Sequence, residues 1–357
     1  MIEKKIMEKN IALLSGDGIG PEVIKQARKV LNAIAKKFGH TFKYLEGIIG
    51  ASAIDKTGDP LPPETLDICS KSDAIIFGTI GNPKYDDDTK AKVRPEEGLL
   101  RLRKIMGLYC NIRPIKVYPS RLKKSPLHTN GNIDFVIYRE LTSGIYFGKK
   151  GRSIDGHVAY DHCVYTVREI ERIGRAAFEA GLKRRKKLTL IDKANVLETS
   201  RLWRETIKKM SKNYRQIQLD FLFIDNAAMQ LIINPERFDV ILTENMFGDI
   251  LSDEASLIGG SIGLLPSASI GEKVSLFEPI HGSYPQAAGK NIANPIASIL
   301  SVAMMLDHFG LFKEGKEIYK SVKYSIDKKM VTQDMEDSSP IGTEEVGDFI
   351  TECLLKN

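Results

Sequence analysis

The chain has 357 residues, 42% of them apolar and 27% charged, as in ordinary globular proteins. It contains no run of about 18 uninterrupted apolar residues, and its N-terminus lacks the apolar core of a signal peptide, so we expect neither a membrane span nor export. The four cysteines are scattered without a CxxC pair, which favours the reducing cytoplasm. The net charge of +6 is spread along the chain without clustered aromatics, which argues against nucleic-acid binding.

Strand and helix patterns alternate in the first third of the chain. Apolar runs at 11–15, 41–46 and 73–78 are separated by helical patterns at 21–38 and 62–71. This rhythm predicts a mainly parallel α/β sheet.

Further strands are predicted at 109–117 and 133–139, and the segment 146–166 has no helical period. Its Gly, Tyr and Val content predicts a loop or an antiparallel hairpin that stands apart from the core. The elements predicted next are a helix at 166–181, a strand at 188–192, a helix at 197–212, a strand at 219–224, a helix at 226–233, a strand at 239–243 and a helix at 247–260. A Gly/Pro/Ser-rich stretch follows at 262–295, and then helices at about 295–310, 313–328 and 343–355.

The stretch SGDGIGPEV (15–23) follows an apolar run and opens a helix, which is nearly the layout of a Rossmann dinucleotide site. Gly16 and Gly18 fit the G-x-G-x-x-G spacing, but the third position is Pro21, and Gly20 comes one residue early. Pro21 suits the first turn of a helix, where its missing N–H is not needed. The stretch therefore predicts a tight strand-to-helix turn rather than a dinucleotide fingerprint.

The segment GDILSDEAS (248–256) places Asp249 and Asp253 four residues apart, side by side on a helix that also carries apolar residues. Two neighbouring carboxylates near a core predict a cation, and oxygen ligands favour Mg²⁺ or Mn²⁺ over zinc. The alternative is a pair of solvated acids. Asp225 ends a predicted strand, where α/β sheets place function, although a helix N-cap is equally open.

Several arginines lie near apolar positions. In PEEGLLRLR (95–103), Leu99 and Leu100 both lie beside Arg103 on a helix. Arg113 and Arg139 lie within strand patterns, and buried arginines need anionic partners such as carboxylates. Together with a divalent metal, this set predicts a small polycarboxylate substrate with a branched apolar group, although any single arginine could be an ordinary salt-bridge partner.

Two further side chains are candidates for proton chemistry. Lys193 follows the strand pattern LTLID, and a lysine desolvated near a metal can act as a base. Tyr146 lies in GIYFG and can donate a proton.

Taken together, these stretches resemble the isocitrate/isopropylmalate dehydrogenase family of metal-dependent β-decarboxylating dehydrogenases. The resemblance runs from about residue 10 to the C-terminus. Its motifs are GDGIGPEV (16–23), PEEGLLRLR (95–103), NIRP (111–114), RELTSGIYFG (139–148), DKANVLE (192–198), FGDILSDEAS (247–256), GLLPSASIG (263–271) and FEPIHGSYPQAAGKNIANP (277–295).

The resemblance implies an α/β fold of the isopropylmalate dehydrogenase type, with two domains and a central mixed sheet flanked by helices, not a Rossmann fold. It implies a discontinuous cofactor-binding domain, 1–108 and 260–357, and a substrate and dimerisation domain, 109–259, with an interlocking arm at about 146–166. It also implies a homodimer with shared active sites, in which Lys193 and Asp225 enter the site of the other subunit.

The resemblance further implies a role for each site residue. The metal ligands for Mg²⁺ or Mn²⁺ are Asp225, Asp249 and Asp253, and the catalytic residues are Lys193 and Tyr146. The residues implied to bind the substrate are Arg103, Arg113, Arg139 and Asp225, with Leu99, Leu100 and Val196 around its isopropyl group. The residues implied to bind NAD are Glu96, His281, Gly282, Gln286, Ala287, Ala293 and Asn294.

The implied reaction is the NAD-dependent oxidative decarboxylation of 3-isopropylmalate to 4-methyl-2-oxopentanoate, in leucine biosynthesis. Isocitrate is the less favoured substrate because its extra carboxylate would be buried against Leu99 and Leu100, and D-malate or tartrate would leave that pocket partly empty. Gln286 departs from the family pattern, where an aspartate usually binds the adenosine ribose. A neutral amide repels a 2′-phosphate less than a carboxylate does, which leaves the discrimination of NAD from NADP open.

Overall fold

The computed structural model describes residues 6–86, 93–118, 133–336 and 338–356 of the chain. The chain forms two compact units. The first unit combines the residues up to Leu108 with those from Ser261 onward, and the second is the continuous segment Tyr109–Gly260. No helix within the described ranges is long and apolar enough to cross a membrane.

Strands and helices alternate along most of the described chain. The strands are β1 (Glu8–Gly16), β2 (Thr41–Gly47), β3 (Ala74–Thr79), β4 (Cys110–Lys116), β5 (Asp134–Glu140), β6 (Lys150–Arg152), β7 (Ala159–Asp161), β8 (Lys187–Asp192), β9 (Gln218–Phe223), β10 (Val240–Thr243), β11 (Pro266–Ile270) and β12 (Ser275–Pro279). The helices are α1 (Gly20–Phe38), α2 (Ala51–Thr57), α3 (Pro63–Ser70), α4 (Pro83–Asp86), α5 (Pro95–Ile105), α6 (Val167–Lys183), α7 (Glu198–Ser211), α8 (Ile224–Ile233), α9 (Asn245–Ile258), α10 (Ile296–His308), α11 (Phe312–Asp327) and α12 (Thr343–Lys356).

The first unit is built on a mixed sheet in the order β2-β1-β3-β12-β11. Neighbouring strands are parallel except for the antiparallel pair β11 and β12. Helix α1 packs against α10 and α12, and α10 covers β11 and β12. Every residue of β3 is buried, as expected for a strand with parallel neighbours that lies inside a covered sheet.

In the second unit the strands run in the order β4-β5-β10-β8-β9, in which β4 is antiparallel to β5 and the other pairs are parallel. Helix α6 packs against β5, β8, β10 and α7, whereas α9 packs against β5, β10 and α8. Strands β6 and β7 form a separate antiparallel pair.

The carboxyl ends of the parallel strands in the second unit lie along one edge of its sheet. Thr243, the last residue of β10, is in register with Arg139 on one side and with Ile191 on the other. Asp192, the last residue of β8, is in register with Phe223 of β9. This is the edge at which open α/β sheets place their binding and catalytic groups.

Most predicted elements are present within one or two residues of their predicted bounds. Pro21 lies in the first turn of α1, as predicted. The hairpin predicted within 146–166 is the β6–β7 pair. Strands β11 and β12 were not predicted, because their sequences, with Pro and Ser at several positions, do not show the β-branched and aromatic pattern by which strands are recognised.

Candidate active site

Asp249 and Asp253 lie one turn apart on α9, and both face an arginine. The Nη1 atom of Arg113 is 3.9 Å from Asp249 Oδ1 and 3.6 Å from Asp253 Oδ1. Burial raises the pKa of the Asp253 carboxyl above its usual value, and the Arg113 guanidinium opposes that rise. The acidic pair is therefore part of a mixed-charge cluster in which the Asp253 side chain remains 62% exposed.

Arg113 and Arg139 are buried, and each donates hydrogen bonds to two neighbouring side chains. Arg139 donates from Nη1 to Asp249 Oδ1 at 2.5 Å and from Nε to Asn245 Oδ1 at 2.9 Å. Arg113 donates from Nε to Asn111 Oδ1 at 2.8 Å and from Nη1 to Ser252 Oγ at 2.5 Å. Because each guanidinium is fixed at its Nε, it presents its remaining N–H groups in a set direction.

The residues that orient these arginines were not identified from the sequence. The position of Asn245 just after β10 is a sequence signal for it, because α/β sheets place functional residues at the carboxyl ends of their strands. Asn111 lies two residues before Arg113 on β4 and so shares its face of the strand, which the stretch NIRP could have shown, whereas Ser252 carries no comparable sequence signal. The importance of Ser252 comes from the face that α9 turns toward β4.

Tyr146 belongs to the same cluster. Its hydroxyl donates to Asp249 Oδ2 at 2.9 Å, and the Arg139 guanidinium lies 5.9 Å from the centre of its ring. Burial, with the Asp249 carboxylate as the next cause, raises the pKa of Tyr146 to about 12. The phenol therefore keeps its proton at neutral pH and can act as a donor.

Lys193 and Asp225 form a second, separate pair in the same unit. The Lys193 amine lies 2.6 Å from Asp225 Oδ1, and this contact holds the pKa of the Asp225 carboxyl below its usual value. Val196, in the turn that follows Lys193, is 61% exposed. No group of three His, Cys, Asp or Glu side chains suited to a metal ion occurs among the described residues, so one chain does not bring Asp225 together with Asp249 and Asp253.

The predicted site residues of α5 lie in the first unit. Arg103 is buried and donates from Nη2 to Glu278 Oε1 at 3.0 Å, while its buried Nε has no partner. Leu99 is 8% exposed and packs in the core of the unit, whereas Leu100 is half-buried. Glu96, in the first turn of α5, is exposed.

The first unit also contains a cleft of about 450 Å³. Four of the residues predicted to bind the cofactor line it, namely His281, Gly282, Ala293 and Asn294. Burial lowers the pKa of His281, and its Nε2 atom is buried without a hydrogen-bond partner. Ile19 and Ile292 add apolar lining, and Asp334, which was not identified from the sequence, adds a carboxylate. The cleft thus combines apolar walls with a few polar groups, as small-molecule sites commonly do.

The other three predicted cofactor residues, Gln286, Ala287 and Glu96, do not line this cleft. Gln286 is exposed on the short 3₁₀ turn Pro285–Ala287, and Ala287 is buried behind it against Ile19 and Val23. Glu96 lies near the same region, because a Cβ placed on Gly81 would be 2.9 Å from Glu96 Oε1 and 3.6 Å from Ser283 Oγ.

The opening glycine loop packs against protein backbone. Gly16 and Gly18 both have positive φ, 71° and 57°, and a Cβ on either would lie about 2 Å from a carbonyl oxygen, that of Thr79 or Ser283. The Ile19 amide also donates to Ser283 O at 2.9 Å. Gly16 therefore allows a close approach to the end of β3, and Gly18 allows one to the segment around Ser283 beside the cleft, consistent with the missing fingerprint spacing.

Comparison with known proteins assigns the family. A family model described as isocitrate/isopropylmalate dehydrogenase matches residues 10–350. The chain belongs to this family. A 3-isopropylmalate dehydrogenase of Bacteroides fragilis strain YCH46 is 51% identical, with 98% of this chain and 100% of the relative covered. One of Aquifex aeolicus strain VF5 is also 51% identical, with 96% of each chain covered.

Solved structures support the same assignment. An isocitrate dehydrogenase from Methylococcus capsulatus superposes with a TM-score of 0.89 at 35% identity, covering 97% of this chain and 99% of its own. A β-decarboxylating dehydrogenase from Thermococcus kodakarensis, in its apo form, gives a TM-score of 0.78 at 36% identity, covering 97% of this chain and 96% of its own. The predicted fold class, α/β with a central mixed sheet flanked by helices, is confirmed.

Proposed function

We propose that the chain catalyses the oxidative decarboxylation of 3-isopropylmalate to 4-methyl-2-oxopentanoate and CO₂, with reduction of NAD, in leucine biosynthesis. The observation that carries this proposal is the cluster of the buried Arg113 and Arg139 with the half-buried Asp249 and Tyr146, in a chain about half identical to 3-isopropylmalate dehydrogenases over nearly its whole length. The cluster offers anion-binding, metal-binding and proton-donating groups within one unit.

Arg103, Arg113 and Arg139 are the proposed ligands of the substrate carboxylates. All three guanidinium groups are buried. A carboxylate bound to any of them would accept charge-assisted hydrogen bonds that are shielded from water. The unpartnered Nε of Arg103 is a further donor. Leu99, Leu100 and Val196 are proposed to surround the isopropyl group.

Asp249 and Asp253 are proposed to bind Mg²⁺ or Mn²⁺, with Asp225 as the third ligand. The donor set fits these cations, because it consists of carboxylate oxygens and Asp249 and Asp253 share one face of α9. The raised pKa of Asp253 also indicates a carboxyl that a nearby cation would stabilise as the anion.

We propose that Asp225 and Lys193 reach this metal site from a second copy of the chain. Within one chain the Lys193–Asp225 pair is separate from the acids of α9, so the third ligand must come from elsewhere. Helices α8 and α9 expose apolar side chains that a partner would cover, namely Met229, Ile232, Ile233, Ile250 and Leu257. The arm at 146–166 exposes four more large hydrophobic side chains, Ile154, Val158, Tyr160 and Val164. Both surfaces support a homodimer with shared active sites.

The first unit is proposed to bind NAD and the second to bind substrate and to dimerise. The adenosine part of NAD fits the cleft lined by His281, Gly282, Ala293 and Asn294, where the unpartnered His281 Nε2 offers a hydrogen bond. Gln286 and Ala287 are proposed to border it, and Glu96 to approach the nicotinamide. Gln286 carries no charge, so the preference for NAD is proposed to be modest.

The proposed chemistry assigns one proton to each of two side chains. When bound, the metal supplies Lewis-acid polarisation and NAD⁺ supplies the hydride acceptor. Lys193, held beside Asp225, assists removal of the substrate hydroxyl proton. Tyr146, which keeps its proton at neutral pH, returns a proton to carbon after CO₂ has left.

A second candidate within the family is oxidation of isocitrate, D-malate or tartrate. The solved Methylococcus capsulatus relative is an isocitrate dehydrogenase, at 35% identity. The 51% identity to 3-isopropylmalate dehydrogenases and the apolar Leu99 and Leu100 favour the branched substrate.

The test is to follow NADH formation with 3-isopropylmalate, isocitrate and D-malate, each with Mg²⁺ and with EDTA, and with NADP⁺ in parallel. Turnover confined to 3-isopropylmalate and abolished by EDTA supports the proposal. Preference for isocitrate or D-malate would reject the substrate while keeping the family chemistry, and absence of turnover with every pair would reject the proposed activity.

A further inference from the structure

Glu244 is a buried acid to which the proposed chemistry gives no task. It is 4% exposed and occupies the position just before α9, between the end of β10 and Asn245. Its Oε1 accepts a hydrogen bond from the hydroxyl of Ser200, which is itself completely buried on α7. A buried carboxyl is costly unless its surroundings use it, so its contacts call for an explanation.

Ser200 connects Glu244 to the turn that carries Lys193. The Ser200 oxygen accepts a hydrogen bond from the Lys193 backbone N–H at 3.1 Å. Because its proton is directed to Glu244, its lone pairs are free to face that N–H. The same turn is anchored a second time by Asp192, which accepts two hydrogen bonds from Arg204 and one from the Ala194 N–H.

The neighbouring residue makes contacts toward the other cluster. Asn245 accepts from Arg139, the arginine that pairs with Asp249. Two consecutive residues at the start of α9 thus contact different groups. Glu244 is linked through Ser200 to the Lys193 turn, and Asn245 contacts the Arg139–Asp249 pair directly.

We propose that Glu244 is a positioning residue that, through the Ser200 hydroxyl, holds the backbone of Lys193 where its amine meets Asp225. This inference rests on the proposed role of Lys193. The lysine amine stands at the end of a flexible four-carbon stem, so a displaced backbone moves the amine away from the proton it must accept.

The groups that face Glu244 come from several elements. Asp192 lies at the end of β8, and Cys163 and Tyr165 lie in the segment that precedes α6. Tyr165 accepts from the Asn245 N–H, so its oxygen is part of the same network. The Ser200 hydroxyl, which also faces Glu244, is the group that joins Glu244 to the Lys193 turn by hydrogen bonds.

The test compares four variants of the full-length protein. Ser200→Ala and Glu244→Leu remove the link, Glu244→Gln keeps an acceptor for Ser200, and Thr243→Val removes a different buried hydrogen bond, to Ile191 O, one residue away. We expect Ser200→Ala and Glu244→Leu to lower kcat about tenfold, with little change in KM, because misplacement of a catalytic group is felt in the chemical step. Glu244→Gln and Thr243→Val should retain kcat within about threefold.

Two readouts separate positioning from a loss of stability. In a Lys193→Ala background, Ser200→Ala should lower the residual kcat no further, since the group it positions is gone. Hydrogen exchange of peptides covering 192–197 should quicken in Ser200→Ala and Glu244→Leu and stay unchanged in Thr243→Val.

A loss of kcat in Ser200→Ala that persists without Lys193, or that Thr243→Val matches, would overturn the proposal. Unchanged hydrogen exchange at 192–197 in both Ser200→Ala and Glu244→Leu would overturn the proposal as well. This measurement needs no substrate. A wild-type protein without 3-isopropylmalate turnover would instead count against the proposed function.

Discussion

The Tyr146 hydroxyl donates a hydrogen bond to Asp249 Oδ2 at 2.9 Å, while Asp249 Oδ1 accepts from Arg139 at 2.5 Å. The proposed proton donor and a proposed metal ligand therefore share one hydrogen bond within a single chain. A cation on Asp249 would weaken the carboxylate as an acceptor and leave the phenol freer to give its proton elsewhere. The contact thus connects metal binding to proton donation.

Tyr146→Phe should fold normally and lose turnover. The substitution removes one hydroxyl and keeps the ring beside Arg139, so we expect kcat to fall about a hundredfold, the usual effect of losing a general acid. Steady-state kinetics and thermal unfolding check both parts. Near-normal kcat in this variant would mean that another group donates the proton.

Metal binding should appear as stabilisation. Mg²⁺ at about 100 times its dissociation constant adds about 2.7 kcal/mol to the free energy of unfolding. Asp253→Asn should lose most of this increment, and so should Asp225→Asn if a second chain supplies that ligand. Glu198→Gln, which changes an exposed acid paired with Arg201, is the control that should keep it. Thermal unfolding with Mg²⁺ and with EDTA measures the increment; equal increments in all variants would contradict the metal assignment.

Glu244→Gln should change how stability depends on pH. Burial raises the pKa of Glu244 to about 7 from its ordinary 4.5, so the folded chain binds this proton more tightly than the unfolded chain does. The corresponding stability is present below about pH 4.5 and is lost as the pH rises through about 7. Glutamine does not ionise, so the variant should gain about 2–3 kcal/mol relative to wild type between about pH 4.5 and pH 8. Denaturant unfolding at both pH values measures this, and a pH-independent difference would mean that Glu244 is not perturbed.

Tyr284 has a left-handed backbone, φ 38° and ψ 62°, directly before Pro285. This conformation is strained for an aromatic residue and easier for asparagine, and the Tyr284 side chain is half exposed. Tyr284→Asn should therefore raise the free energy of unfolding by up to about 1 kcal/mol, whereas Tyr284→Phe should leave it unchanged. Denaturant unfolding of the two variants decides this. A loss of stability in Tyr284→Asn would show that contacts of the ring outweigh the strain.

The apolar surface of α8 and α9 predicts how the dimer can be disrupted. Ile233→Asp with Ile250→Asp places two charges on exposed positions that a partner would bury, and burying an unpaired charge is costly. The double variant should be monomeric at micromolar concentration and should lose turnover, because Lys193 and Asp225 could not reach a second site. Phe312→Asp with Leu355→Asp, at exposed positions of the other unit, is the control. Analytical ultracentrifugation measures the oligomeric state of both double variants, and steady-state kinetics measures their turnover. A monomer with full activity would reject shared active sites.

Local sequence patterns were sufficient for most of the secondary structure. The apolar runs of β1, β3 and β10 and the helical periods of α1 and α6 need no partner to be recognised, because burial on a sheet or on one face of a helix imposes its own period. The capping box of Thr166 and Glu169 explains why α6 begins at Val167. The strands β11 and β12 were missed because tertiary pairing, not local sequence, makes them strands. They pair with each other, and β12 also pairs with β3.

The sequence alone determined which residue types stand where: the aspartates four apart on one helix face, the arginines in strands, and a glycine loop that lacks the dinucleotide spacing. Only the tertiary structure decided which of them meet. Asn245 and Ser252 orient the arginines because helix packing brings positions more than 100 residues apart within hydrogen-bond range, whereas Asn111 lies two residues from Arg113 on the same strand. The link from Glu244 through Ser200 to Lys193 arises in the same way, since no periodicity in the chain encodes a contact between residues 44 apart.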